Sequence, residues 1–427
     1  MINCFSGKLK LLSGKIYMED KSFRPLFTIP VIVAALGYFV DIYDLLLFSI
    51  VRRPSLLELG VPENALLSEG EFLLQVQMTG LLVGGIIWGI LGDKKGRLSV
   101  LFGSILLYSL SNIVNGFVTD IHQYAVLRFI AGIGLAGELG AGITLVSESL
   151  PTRLRGYGTT LVATVGLLGA VVANFVVRLS GNDWRTAFFI GGGLGLLLLI
   201  ARISVFESSI FLKVKEEQVQ RGNFFMLFTK RERLLRFLGC IFIGTPIWYV
   251  IGILIFAAPE IAHALGISEK ISSGDAVMWS YIGLTVGDLS SGLLSQLMKS
   301  RKKVVLLYIF LTVVFVLIYL YSGSISSNHF YFNCFLLGIG VGYWAIFITI
   351  AAEQFGTNLR STVATTVPNF IRGTVAPLTM LFKFMRAETS VIEGALWVGL
   401  LTFVIALVAV TLVDETFSRD MNFVEKN

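Results

Sequence analysis

Twelve times along this 427-residue chain the residues stay apolar for about as long as a helix needs to cross a bilayer. The runs fall near 29–51, 71–92, 97–117, 122–146, 156–178, 186–206, 234–258, 275–297, 303–322, 329–352, 361–384 and 392–413. Hydrocarbon offers no partner to a backbone N–H or C=O, so such a run folds as a helix that satisfies its own backbone. The expectation is an all-α membrane protein with twelve transmembrane helices. Composition agrees: 55% of residues are hydrophobic and 15% charged, about half the charge a soluble chain carries. The 44 glycines suit helices that pack closely in lipid.

One long polar interruption, near 207–232, divides the runs into two sets of six. The expected organisation is a tail over 1–28, a six-helix bundle over 29–206, a loop over 207–233, a second bundle over 234–413 and a tail over 414–427. Most of the 34 basic residues gather in the even-numbered loops and the tails. The odd loops hold Arg52, Arg53, Arg178, Arg185, Lys270, Lys383 and Arg386, and the spans hold Arg128, Arg202 and Arg372. Basic loops stay inside, so both termini are expected in the cytoplasm. The same rule accounts for the net charge of +6 with the lipid bilayer, and no nucleic acid, as partner. No signal peptide is evident, because the apolar runs before residue 29 are too short for its core. Cys4, Cys240 and Cys334 are scattered, with no spacing for a metal or a disulfide framework.

The halves repeat each other. "ESLPTRLRG" (Glu148 to Gly156) and "EQFGTNLRS" (Glu353 to Ser361) share Glu, Thr, Leu and Arg at the same spacing. "GLLVGGIIWG" (Gly80 to Gly89) matches "GLTVGDLSSG" (Gly283 to Gly292), and "GIGLAG" at Gly132 parallels "GIGVGY" at Gly338. A repeat of six-helix units is the architecture of a rocking carrier with its site between the halves.

Charge inside the spans marks where that site lies, because an ionisable group there is costly. "GYFVDIYDLLLFSI" carries Asp41 and Asp44 one turn apart, on one helical face. At 1.5 Å per residue they lie about 18 and 23 Å in from the cytoplasm. Arg128, about 9 Å down from the outside, is at comparable depth, and Glu138 is about 15 Å deeper. Two carboxylates then face one guanidinium, and the spare carboxyl is a candidate to load and release a proton. Proton coupling is expected within Asp41, Asp44, Arg128 and Glu138. In the second half, Arg372 and Asp288 both lie near the midplane. Either Arg372 holds an acidic group of the substrate, with Asn369 beside it, or it forms an ion pair with Asp288; both can hold in turn. Pro246, Pro368 and Pro377 can break or bend their helices where a cavity is lined.

The loop "GILGDKKGRL" supplies Gly89, Asp93, Lys94, Gly96 and Arg97, a tight turn with an acid and bases at helix ends. It resembles the loop signature of the major facilitator superfamily, in which the acid latches to a neighbouring helix end. The stretch from Arg128 to Thr160, with Gly132, Gly134, Gly137, Glu138 and Glu148, is similar to the metabolite:proton symporter branch of that superfamily. So are Asp41, Ile42, Tyr43 and Asp44, with Asp41 where the branch has glutamate, and "EQFGTNLRSTVATTVPNFIRGTVAP", with Gly356 where it has proline. The resemblance implies that Trp248, Tyr249, Tyr343 and Trp344, together with Tyr43, lie in spans that line the cavity, where each ring either packs helices together, the commoner role, or stacks on the substrate. It also makes Glu148–Arg155 and Glu353–Arg360 cytoplasmic charge clusters that gate it.

The expected function is secondary active transport of a small polar, carboxylate-bearing metabolite by proton symport, in a monomer at a bacterial inner membrane. Export by proton antiport and a non-transporting nutrient sensor are the alternatives in the same fold. An enzyme is not expected: His122, His263 and His329 lie at or near span ends, and neither H-E-x-x-H nor G-x-S-x-G occurs. No phosphate-binding G-x-x-x-x-G-K-[ST] loop is present, and no cofactor or metal is expected beyond the coupling proton.

Overall fold

A computed structural model describes residues 11–12, 15–16, 24–151, 154–202, 224–417 and 423–425. The side chains of residues 11–12 and 15–16 and those of Asp93, Arg97, Ser147, Glu148, Arg155 and Ser361 lie outside that description. Apart from one short antiparallel pairing, β1 (Leu11–Leu12) with β2 (Lys15–Ile16), the regular structure is helical. The first half contains α1 (Ile29–Glu58), α2 (Leu66–Lys95), α3 (Arg97–Asn115), α4 (Ile121–Leu135), α5 (Glu138–Ser149), α6 (Arg155–Leu179) and α7 (Trp184–Ala201). The second contains α8 (Arg231–Phe242), α9 (Thr245–Tyr249), α10 (Ala258–Ala264), α11 (Ser273–Leu297) and α12 (Arg301–Leu320). It ends with α13 (Ser327–Gly340), α14 (Trp344–Gln354), α15 (Arg360–Gly373), α16 (Val375–Glu388) and α17 (Val391–Thr411).

Among the described residues, ten helical stretches are long and apolar enough to cross a membrane. The expected eighth and eleventh runs are helical as α11 and as α15 with α16, but Ser, Thr, Gly and buried charge replace part of their apolar surface. Large apolar side chains such as Phe117, Leu197, Phe310 and Leu400 point outward, as a helical bundle in lipid requires. Side chains of Asp120, Asp183, Ser272, Ser300 and Ser390 cap the helices that follow the connecting loops.

Several of the expected runs are interrupted in their middles. The fourth breaks at Ala136–Gly137 between α4 and α5, and the tenth at Val341–Tyr343 between α13 and α14. In the seventh, a π turn over Val250–Ile255 follows α9, whose first turn holds Pro246. Pro377 sits just after the break at Thr374, whereas Pro368 lies inside α15 without interrupting it. Such breaks survive at membrane depth only when buried in protein or lining a cavity.

The sequence repeats coincide with equivalent close crossings. Gly80 and Gly84 of α2 press on the backbone of α4 at Phe129 and Ile133, and Gly132 of α4 presses back on Gln77. Gly283 and Gly287 of α11 press on α13 at Phe335 and Ile339, and Gly338 presses back on Ser280. A Cβ at any of these positions would collide with main chain.

The halves touch at both ends of the bundle. At the far end, where α1 finishes, four ion pairs join them among the described residues, Arg53 sharing Glu260 with Arg52 at 3.6 Å. Arg52 meets Glu260 at 2.8 Å, Arg386 meets Glu71 at 2.7 Å, and Arg178 pairs with Asp275. At the near end, where α1 starts, α15 lays Thr362, Thr365 and Asn369 against Gly89, Gly140 and Gly85. Small residues permit that contact because nothing protrudes to hold the backbones apart.

Candidate functional site

Asp41 lies near the middle of α1 and is fully buried. Its Oδ2 stands 3.9 Å from Nη2 of Arg372, on α15 of the other half. Nη1 of Arg372 donates to Asn369 Oδ1 at 3.3 Å. Two indoles flank the guanidinium, Trp248 at 5.7 Å and Trp344 at 5.5 Å from the ring centres. The rings meet each other edge to face, 6.3 Å apart. Trp344 Nε1 donates to Tyr38 OH at 2.9 Å, one turn before Asp41 on α1. A carboxylate, a guanidinium and an aromatic wall therefore converge from both halves. Both oxygens of Asp41, Nε and Nη2 of Arg372 and Nε1 of Trp248 make no hydrogen bond within the protein. Polar atoms buried in this way are ones a ligand or a proton can satisfy.

This corrects the expectation that both aspartates face one arginine. Residues three apart on a helix differ by about 60° in direction. For α1, surrounded on all sides, that turn changes the neighbour. Asp41 looks across to Arg372, whereas Asp44 packs under Gly191 of α7, beside Arg128 and Asn112. Arg128 donates Nη2 to Asn112 Oδ1 at 2.6 Å and lies 4.6 Å over the Phe188 ring. Glu138 stays close enough to act on the charge of Asp41 but has a cation of its own. Arg202, at the end of the sixth span, grips it through two bonds of 2.9 and 2.6 Å, and Ser104 donates a third at 2.8 Å.

The expected Arg372–Asp288 ion pair is absent. Asp288 Oδ1 instead accepts the backbone N–H of Ala345 at 2.7 Å. The hydroxyls of Tyr43, Tyr249 and Tyr343 are each bonded to a backbone carbonyl, of Ala187, Ala395 and Ile243 respectively. These three rings pack helices together, and of the expected aromatic wall Trp248 and Trp344 reach Arg372. Tyr38 and Arg202 were not singled out as site residues. An arginine within the sixth span was the available signal for Arg202; Tyr38 gave none beyond standing one turn before Asp41.

Among the gating candidates, Gly89 packs against Thr362 of α15, Gly96 forms the bend between α2 and α3 at φ 101°, and Lys94 is exposed. The side chains of Asp93, Arg97, Glu148 and Arg155 lie outside the described residues. Glu353 pairs with Arg301 at the start of α12, at 2.7 Å, while Arg360 donates Nε to the Ala352 carbonyl. Beyond the membrane, Glu415 accepts from the Ser300 hydroxyl and from the N–H groups of Arg301, Lys302 and Phe417. Burial opposes its ionisation, but these donors outweigh it and hold the carboxyl below its usual range.

Broken helices, buried charges meeting between the halves and contacts between them at both ends characterise this helical membrane protein. The match of a family model to residues 26–375 is to the Major Facilitator Superfamily, and the chain belongs to that superfamily, a class of transporters and not of enzymes. It is 25% identical to a putative niacin/nicotinamide transporter of Bacillus subtilis, over 81% of this chain and 86% of that protein. It is 26% identical to a probable 4-methylmuconolactone transporter of Cupriavidus pinatubonensis, over 76% of each. Against the benzoate transport protein of Acinetobacter baylyi it is 27% identical over 49% of this chain, and it spans only about half of that relative's length, 45%. The fold resembles the xylose transporter XylE of E. coli in a partially occluded inward-open conformation. The TM-score is 0.72 at 16% identity, over 92% of this chain and 99% of that one.

Proposed function

We propose that this protein is a secondary active transporter that carries a small organic acid, together with a proton, by alternating access. The observation that carries the reading is the Asp41–Arg372 pair, which joins α1 of one half to α15 of the other between two indoles. A guanidinium suits a carboxylate, which it binds through two parallel hydrogen bonds. At 3.9 Å the internal pair is looser than such a contact. A substrate carboxylate on Arg372 displaces Asp41, and a buried carboxylate without its counter-charge is costly. Protonation of Asp41 removes that cost. Anion and proton therefore bind together, and neither half of the load crosses cheaply alone. Trp248 and Trp344 offer flat apolar faces to the body of the acid, in keeping with relatives named for benzoate and niacin. Asp44, beside Arg128, is the second candidate for the proton.

The twelve expected spans, with two six-helix halves and both termini in the cytoplasm, form the frame of this proposal. The far-end ion pairs are then the outer closure and the α15 glycine seam the inner one. The named relatives are bacterial, which supports a bacterial cell membrane as the location, the inner one where there are two. The test is benzoate and nicotinate binding to the purified protein, with benzamide and nicotinamide as neutral analogues. Arg372→Ala is expected to abolish binding of the acids and leave the amides little changed. Equal losses for acids and amides would refute the assignment of Arg372 to a carboxylate.

A further inference from the structure

We infer that Asp288 is a positioning residue for Trp344: reaching over from α11, its carboxylate caps the start of α14 and fixes the indole that walls the Arg372 site. The inference rests on the reading of that site given above. The break at Val341–Tyr343 restarts the helix at Trp344 in the middle of the tenth span. The first N–H groups of a helix have no partner within it, and the bilayer interior supplies no water to replace one. The residue placed to cap α14 from within, Tyr343, gives no side-chain cap, and its hydroxyl is committed to the Ile243 carbonyl. Asp288 supplies what is missing, accepting Ala345 N–H at 2.7 Å. A negative charge at that point also suits the positive end of the helix.

Two glycines make the reach possible. Gly287, next to Asp288, and Gly342, in the break, lie backbone to backbone, and a Cβ on Gly342 would collide with Gly287. The bonded Ala345 immediately follows Trp344, whose ring bridges to Tyr38 of the other half and stands 5.5 Å from the guanidinium of Arg372. The internal repeat supplies a control. In the match of Gly80–Gly89 to Gly283–Gly292, Asp288 corresponds to Gly85. At the first-half break Asn369 of α15 fills the space over Gly85 and donates to the Ala136 carbonyl at 2.8 Å. The acid is thus no requirement of a broken span in this fold. It occurs in the half whose restarted helix opens on an indole of the site.

Capping needs an acceptor oxygen and not a charge, and this separates the inference from any role of Asp288 in ion pairing or proton carriage. Asp288→Asn keeps the acceptor, Asp288→Val removes it, and Asp288→Ser is too short to reach Ala345. Tryptophan emission of the full-length protein in detergent reports on the indole without any ligand. The emission of Asp288→Val and Asp288→Ser is expected to shift, that of Asp288→Asn to stay, and the shift to vanish in a Trp344→Phe background. With benzoate as probe, Asp288→Val and Asp288→Ser should each bind about tenfold more weakly, the scale of a lost cap, and Asp288→Asn within about twofold of the parent. An emission change in Asp288→Asn as large as in Asp288→Ser would overturn the inference, as would a shift that persists without Trp344. Should the parent protein not bind benzoate at all, the substrate reading fails while the emission series still decides the cap.

Discussion

On the proposed reading of the far end as the outer closure, one ion pair is the place to weaken it. Arg386 grips Glu71 through two bonds of 2.7 and 2.9 Å, with both side chains largely shielded from solvent. At an effective dielectric of about 20, unit charges about 2.8 Å apart attract by about 6 kcal/mol. Desolvation cancels part of this, and in Glu71→Gln the amide oxygen keeps one hydrogen bond. A net loss of about 2 kcal/mol is therefore expected. If the pair exists only when the far end is closed, that loss moves the closed–open equilibrium about 30-fold towards opening. Spin labels on Asn64 and Glu388, exposed and beside the two helix ends, in a background lacking the three native cysteines, read this as a new, longer distance. The exchange Glu71→Arg with Arg386→Glu should restore the short one. An unchanged distance distribution in Glu71→Gln would refute the assignment of this pair to the closure.

Three further outcomes follow from the same geometry. Gly85→Ala places a Cβ 2.8 Å from that of Asn369, so the near end should open and transport fall, read by labels at that end and by uptake. Glu138→Gln takes from buried Arg202 its directly paired carboxylate and should cost about 3 kcal/mol of stability. Thermal melting checks this, and Glu138→Leu with Arg202→Leu should recover most of the loss. Glu415, held below its usual range, stabilises the start of α12 above the unfolded carboxyl value of about 4.3. That contribution is lost as pH falls towards the lower folded value, and Glu415→Gln should flatten this acid limb of a pH–melting curve.

The membrane class and the repeat were legible in the sequence because both are carried by runs and spacings. "GLLVGGIIWG" and "GLTVGDLSSG" became matching helix crossings since the glycines that align are the ones that let backbones touch. Of the charge partners, Asp44 beside Arg128 was legible and the partner of Asp41 was not. Depth arithmetic placed Asp41, Asp44 and Arg128 at one level, but depth says nothing about direction around a helix. A difference of about 60° sent Asp41 to the other half and left Asp44 with Arg128. The same limit separated Arg372 from Asp288, which share a depth but not a bond. The aromatic residues divided for local reasons: Tyr249 follows Trp248 on a helix, where adjacent residues point about 100° apart, and Tyr343 lies in the break that precedes Trp344. The tryptophans therefore meet Arg372 while the tyrosine hydroxyls bond neighbouring backbones.

The central claim is that Asp41 must be neutral for Arg372 to hold the acid. Purified protein in liposomes, given an inward proton gradient and radiolabelled benzoate, tests it through Asp41→Asn. The account predicts that this variant loses uphill accumulation, because no proton travels with the anion, yet still exchanges internal for external benzoate. Uphill accumulation by Asp41→Asn equal to that of the parent would contradict it and pass the proton to Asp44.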